Sequence, residues 1–196
     1  PLPEGIGELV CSRYDPNSTV VISGCRFGAN RGRGILINVE HHTVVENNHF
    51  HVSGRAIESI PDTNYWWEGS PVQDLIIRNN TFEDCCYGPC GEDLFYLGPE
   101  LPNGDDPHND PVRATEQTAT PCARPVLKNI RIEDNLFIRH SGSLLHAHGV
   151  DGLVFRGNRV LDSSRYPVTP VTALVDLGAG MGRHTVEEPT PAEGIP

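Results

Sequence analysis

A chain of 196 residues that is 37% hydrophobic and 21% charged is long enough to bury one sizeable core, and nothing in its composition departs from that of a globular domain. A formal charge of −11 repels phosphate, so neither nucleic acid nor an anionic membrane surface is an expected partner and a neutral substrate fits better. No run of about 18 apolar residues could form a membrane-spanning helix, and 20 Gly with 17 Pro point to short strands and many turns.

The N-terminal Pro1-Leu2-Pro3-Glu4 lacks the basic and apolar regions of a signal peptide. A leader is therefore expected to have been removed or to lie outside this sequence. The first patterned stretch is Val20-Val21-Ile22-Ser23-Gly24-Cys25-Arg26-Phe27, and its pattern returns as Val44-Val45-Glu46-Asn47-Asn48-His49-Phe50. Three more copies follow: Leu75 to Phe82, Ile130 to Phe137 and Leu153 to Val160. Counted at positions 27, 50, 82, 137 and 160, the separations are 23, 32, 55 and 23, so the unit is about 23 residues with insertions in two intervals.

Each unit also carries a second apolar strand: Gly34 to Ile37, Ala56 to Ile60, Leu94 to Leu97 and Leu144 to Ala147. One such coil cannot bury its own apolar residues. Coils stacked about 4.8 Å apart pair every strand with its neighbours and close a continuous core. The predicted fold is all-β, a right-handed parallel β-helix of roughly six coils with two loop insertions. Phe27, Phe50, Phe82, Phe137 and Val160 are expected to stack inside it, and Asn48, Asn80, Asn135 and Asn158 to form a ladder at a corner whose left-handed backbone Asn tolerates. An antiparallel sandwich would also be rich in short strands, but it does not require the same side chain at the same turn in every unit.

The predicted domain covers residues 1–182, with 98–125 a long Pro-rich acidic loop, and 183–196 reads as an irregular C-terminal tail. Open solenoid ends expose unpaired strand edges, which favours self-association or further flanking segments. Six cysteines, four of them between residues 85 and 122, suit a secreted or periplasmic chain with a stapled loop. Cys86 and Cys90 with Cys122 and His108 form the less favoured zinc alternative. Asn17 and Asn79 head glycosylation sequons that decide little.

Insertions in a solenoid collect on one face and build its site. The first insertion, Pro61 to Pro71, holds both tryptophans, Trp66 and Trp67, beside Asp62 and Glu68. A tryptophan face packs on the C–H side of a pyranose while carboxylates bind hydroxyls or move protons. A tryptophan closing a turn against the core is the alternative reading. Arg31 and Arg33 precede a strand and suit a bidentate grip on a carboxylate, or a surface ion pair.

The runs Arg31 to Ile37, Val45 to Phe50, Ser53 to Ile57, Asp62-x-x-x-Trp66-x-Glu68-Gly69 and Val72 to Phe82 resemble glycoside hydrolase family 110. The resemblance covers about residues 19–162 and corresponds to a central block of family members, which are several times longer. It implies a β-helix exo-α-galactosidase that removes terminal α-1,3-linked galactose with inversion, needs no cofactor and takes a carbohydrate substrate. It also implies that Asp62 belongs to the catalytic site, although Pro61 stands where the family has a second Asp.

Coil geometry constrains the carboxylates independently. Side chains on successive coils are about 5 Å apart, the separation of a retaining pair, whereas an inverting pair needs two coils or an offset along the strand. Asp62 is read as general base, or as one of two groups placing the water, with Glu92 or Glu68 as the acid. Glu58 and Asp93 join the substrate-binding candidates, with solvent-facing and turn positions as their plainer readings. His146 and His148 alternate on one strand and so share a face, suited to hydroxyl binding or to plain surface; no metal is assigned. The other functions open to this fold are polysaccharide lyase or epimerase chemistry and a non-catalytic carbohydrate-binding or adhesion role.

Overall fold

The computed structural model describes residues 18–28, 30, 32–62, 69–88, 93–100, 124–138, 140, 142–161 and 173–192. No helix occurs among them. Three strands make each of five coils: β1 (Thr19–Ser23), β2 (Arg26–Gly28), β3 (Ile35–Leu36); β4 (His42–Glu46), β5 (His49–His51), β6 (Ile57–Ser59); β7 (Leu75–Arg78), β8 (Thr81–Glu83), β9 (Asp93–Leu97); β10 (Leu127–Glu133), β11 (Leu136–Ile138), β12 (Ser143–Ala147); and β13 (Val150–Arg156), β14 (Arg159–Leu161), β15 (Val175–Leu177). A sixth coil adds β16 (His184–Val186) and β17 (Thr190–Pro191).

Every third strand joins the same sheet. The orders are β1-β4-β7-β10-β13-β16, β2-β5-β8-β11-β14-β17 and β3-β6-β9-β12-β15, and all the pairings are parallel. This is the right-handed parallel β-helix that the 23-residue unit predicts.

The interior is a set of columns. Phe27, Phe50, Phe82 and Phe137 stack with ring centroids 4.7, 4.8 and 5.4 Å apart, and Val160 continues the row opposite Phe137. Phe95 meets Phe82 edge-on from the third sheet. At the corner between the first two sheets, Asn48, Asn80 and Asn135 each donate both the backbone N–H and the side-chain amide to the Oδ1 of the asparagine one coil on, at 2.9–3.1 Å. These asparagines are buried, from 0 to 3% exposed. The left-handed backbone, however, is carried by the preceding residue: Gly24, Asn47, Asn79, Asp134 and Gly157 have φ between 53° and 68°. The ladder residue therefore serves its hydrogen bonds and the residue before it turns the corner, a division of labour the sequence reading had merged into one position.

A second correction concerns the C-terminus. Residues 184–191 were expected to be part of a tail, yet His184 and Thr185 pair with Leu153 and Val154, and Thr190 and Pro191 pair with Arg159 and Val160. Pro191 lies on an edge strand, where its missing N–H costs no ladder bond. That is how a proline-bearing stretch can still close a coil.

Candidate functional site

The third sheet turns one row of side chains outward. In register across its five strands stand Leu36, Glu58, Tyr96, His146 and Asp176, while Ile57, Phe95, Leu145 and Val175 pack inward as the period of two requires. Charged and aromatic residues thus replace apolar ones on one face of an otherwise ordinary sheet.

Glu58, the second residue of this row, is only 5% exposed. Arg33 reaches its Oε2 and Arg55 its Oε1, both at 3.1 Å. A buried carboxylate held between two guanidiniums is charge-compensated and fixed in place, which makes Glu58 a structural anion rather than a solvent-facing residue. Arg55 also lies 3.8 Å from Asp93 and stacks over the Tyr96 ring at 4.4 Å. Asp93 in turn accepts a hydrogen bond from Ser143 on the next coil.

Beyond the arginine clamp come the aromatic groups. His146 stacks on Tyr96 with centroids 5.1 Å apart, and its Nδ1–H donates to Asp176 Oδ2 at 2.9 Å. His148 meets both rings edge-on, and its Nε2 lies 3.2 Å from the Tyr96 hydroxyl. Burial, then the neighbouring His146, lowers the His148 pKa. Burial also raises that of Tyr96, and the carboxylates Glu100, Asp93 and Glu58 raise it further against the opposing pull of Arg55.

Four residues past Glu58 and Tyr96 the coils still run in register. Asp62 pairs with Glu100 across an isolated parallel bridge, and the Glu100 N–H donates to the Pro61 carbonyl at 3.1 Å. Asp62 is 2% exposed. Glu100 is half-buried, and desolvation followed by the charge of Asp62 raises its pKa above the usual carboxylate range. Two carboxyls paired on consecutive coils, one of them raised by burial and by the charge of the other, are the kind of arrangement that acid–base chemistry uses.

Of the residues singled out from the sequence, Arg33, Glu58, Asp93, His146, His148 and Asp62 come together on this one face. Arg31, Trp66, Trp67, Glu68 and Glu92 lie outside the described residues. Arg55, Tyr96 and Glu100 were not singled out. Glu100 had been read as part of the acidic loop, but the 38-residue offset that sets Glu58 opposite Tyr96 also sets Asp62 opposite Glu100. Among the described residues, no group of three His, Cys, Asp or Glu side chains could hold a metal ion, and no helix is long and apolar enough to cross a membrane. Cys85 and Cys86, expected to staple a loop, are free buried thiols, and Cys25 is free and exposed.

No family model matches the chain. It is similar to three curated proteins among others: α-1,3-galactosidase B of Bacteroides thetaiotaomicron, 32% identical over 171 residues; α-1,3-galactosidase A of Bacteroides fragilis, 33% identical over 169; and α-1,3-galactosidase A of Peterkaempfera griseoplana, 34% identical over 164. These alignments cover 85, 86 and 82% of the present chain but only 25, 26 and 19% of those proteins. The chain thus resembles one block of the α-1,3-galactosidases and spans about a quarter of their length or less.

Proposed function

We propose that the outer face of the third sheet is the active-site surface of an α-galactosidase-type glycoside hydrolase, acting at the end of a glycan chain on terminal α-1,3-linked galactose. The observation that carries this reading is the Asp62–Glu100 pair, two half- to fully buried carboxyls on consecutive coils at the rim of a polar and aromatic row. Glycosidases use such a pair flanking the scissile bond. Glu100, whose pKa is raised by burial and by its neighbour, donates a proton to the leaving oxygen, and Asp62 is the base. The similarity to proteins named α-1,3-galactosidase supports the choice of sugar and linkage.

Two stereochemical courses follow from different supports. The resemblance to family 110 favours inversion, with Asp62 activating a water on the opposite face of the sugar. The register favours retention, because positions paired on adjacent coils stand about 4.8 Å apart, near the 5–5.5 Å of a nucleophile and acid pair. A secreted or periplasmic location belongs to the same proposal, since glycans with terminal galactose are met outside the cytoplasm.

Galactose release from an α-1,3-galactobiose probe by the wild type, Asp62→Asn and Glu100→Gln tests the reading. Release by the wild type and loss in both variants is the expected result. No release by the wild type overturns it, and unsaturated uronate formed from pectin or alginate would point to lyase chemistry instead. The anomer first seen by proton NMR decides the course: β-galactose for inversion, α-galactose for retention.

A further inference from the structure

Tyr96 and His148 are connected in a way that register alone does not provide. Tyr96 stands opposite His146, whereas the position opposite His148, two residues further along the coil, is Gly98. The 3.2 Å contact between the Tyr96 hydroxyl and His148 Nε2 is therefore a diagonal one, made by the two side chains together across an offset of two residues, roughly 6–7 Å at strand rise. Glu100 follows two residues beyond Gly98 on the same coil, and its charge is the foremost of the carboxylates acting on the phenol. Both faces of the Tyr96 ring are taken, by the Arg55 guanidinium at 4.4 Å and by the His146 ring at 5.1 Å. With both faces covered, the hydroxyl is the polar group of Tyr96 left to meet a ligand.

Gly98 makes the arrangement sterically feasible. A Cβ built there would stand 2.0 Å from His148 Nε2 and 2.2 Å from Cδ2, closer than carbon atoms tolerate. Gly178 on the other side would bring its Cβ to 3.1 Å from His148 Cβ. The imidazole lies in a slot formed by two missing side chains, over a strand that elsewhere on this row carries Tyr96 and Glu100.

Resting on the glycosidase reading above, we infer that Tyr96 contacts a hydroxyl of the bound sugar beside Asp62 and Glu100, and that His148 is its positioning residue, admitted by Gly98. His148 fixes which way the phenol O–H points, and so leaves the remaining hydrogen-bonding capacity of the oxygen to the sugar. The ligand class is a pyranose with a free hydroxyl reaching the phenol while its glycosidic oxygen reaches Glu100.

The test uses the full chain with α-1,3-galactobiose as the probe. Tyr96→Phe is expected to lower kcat/KM by about tenfold, the size of one hydrogen bond made to a reacting substrate, with its melting temperature close to that of the wild type. His148→Ala and Gly98→Ala should reproduce most of that loss, His148→Gln should restore part of it, and the Tyr96→Phe/His148→Ala double variant should be no worse than Tyr96→Phe alone, since the two residues act as a unit. Wild-type kcat/KM in Tyr96→Phe, or losses that simply add in the double variant, would overturn the inference. If the wild type releases no galactose, the glycosidase reading fails and the contact is decided by calorimetric binding of the same disaccharide. Weaker binding to Tyr96→Phe and His148→Ala than to the wild type supports it; equal binding, or none to any of them, overturns it.

Discussion

Asp62 and Glu100 are held side by side by the backbone, through a bridge that continues the pairing of β6 with β9 past the end of both strands. The Glu100 N–H bond to the Pro61 carbonyl holds the two backbones together, so both carboxyl side chains start from adjacent positions. That constraint has a thermodynamic signature, because the folded chain binds a proton at Glu100 more tightly than the unfolded chain does.

The sign follows from linkage. Below about pH 4.3, where an unfolded glutamate is protonated, both states hold the proton and Glu100 does not affect the pH dependence. As pH rises, the unfolded chain releases its proton first, so this group's contribution falls until pH passes the raised folded value. Glu100→Gln is therefore expected to be more stable than the wild type at pH 7 and to lose that advantage by pH 4, while losing activity at both. Urea melts across this range check it; a difference that does not depend on pH would show that Glu100 titrates normally.

How far the molecule could be read beforehand depends on whether a residue repeats. Phe50, Phe82 and Phe137 were legible because each coil must offer the same side chain to the next, and Asn48, Asn80 and Asn135 because a ladder fails if one rung is missing. The site has no such repetition. Tyr96 lies between Phe95 and Leu97 and looks like one more apolar strand residue, although the period of two turns it outward while its neighbours are buried. Arg33 suits a grip on a carboxylate or a surface ion pair, and its partner proves to be Glu58, a substrate-binding candidate whose plainer reading was a solvent-facing position. Glu100 was hidden by its neighbourhood: proline and acidic residues follow it, so the strand-like register carried through Leu97 to Glu100 was taken for the start of the loop.

The asparagine ladder should be costly to interrupt. Asn80 is 1% exposed, accepts from Asn48 through Oδ1, and donates its amide to Asn135 and to the Val45 carbonyl. Asn80→Ala leaves the buried backbone N–H of Asn48 without its acceptor and removes the amide bonds to Asn135 Oδ1 and to the Val45 carbonyl, although Asn135 Oδ1 keeps the Asn80 backbone N–H. At about 1–3 kcal/mol for each group left unsatisfied, a loss of about 3 kcal/mol is expected in denaturant unfolding. A loss under 1 kcal/mol would show that water takes over the rung.

Thiol chemistry separates the cysteines by position. Burial pushes the Cys85 thiol up to about 12 and raises Cys86 as well, and the Cys86 Sγ–H donates to the Asp93 and Gly54 carbonyls at 3.1 and 3.3 Å. The thiolate is the reactive form, so raised and buried thiols are inert. With iodoacetamide at pH 8 the exposed Cys25 should be modified in the native protein, and Cys85 and Cys86 only after unfolding, as peptide mass mapping would reveal. Native labelling of Cys85 or Cys86 at the rate of Cys25 would contradict the burial of that corner.

The interior of β6 contains a polar group that the fold does not use. Ser59 is fully buried, in register with Leu97 on the inward side, and its Oγ has no hydrogen-bond partner among the described residues. Its neighbours on that strand point the other way: Glu58 faces outward into the arginine clamp, so no charged group reaches the Ser59 hydroxyl from its own coil. Removing an unsatisfied buried hydroxyl takes away a desolvation cost without taking away a bond. Ser59→Ala is the nearly isosteric change and leaves no cavity larger than one oxygen. It is expected to stabilise the protein by about 1 kcal/mol, seen as a higher midpoint in urea with an unchanged slope. Because Ser59 adjoins Glu58 but lies on the opposite face of the strand, kcat and KM on the α-galactosyl probe should stay at wild-type values. A destabilised Ser59→Ala would mean that the hydroxyl does have a partner, and the packing of Leu97 against β6 would then need to be redrawn.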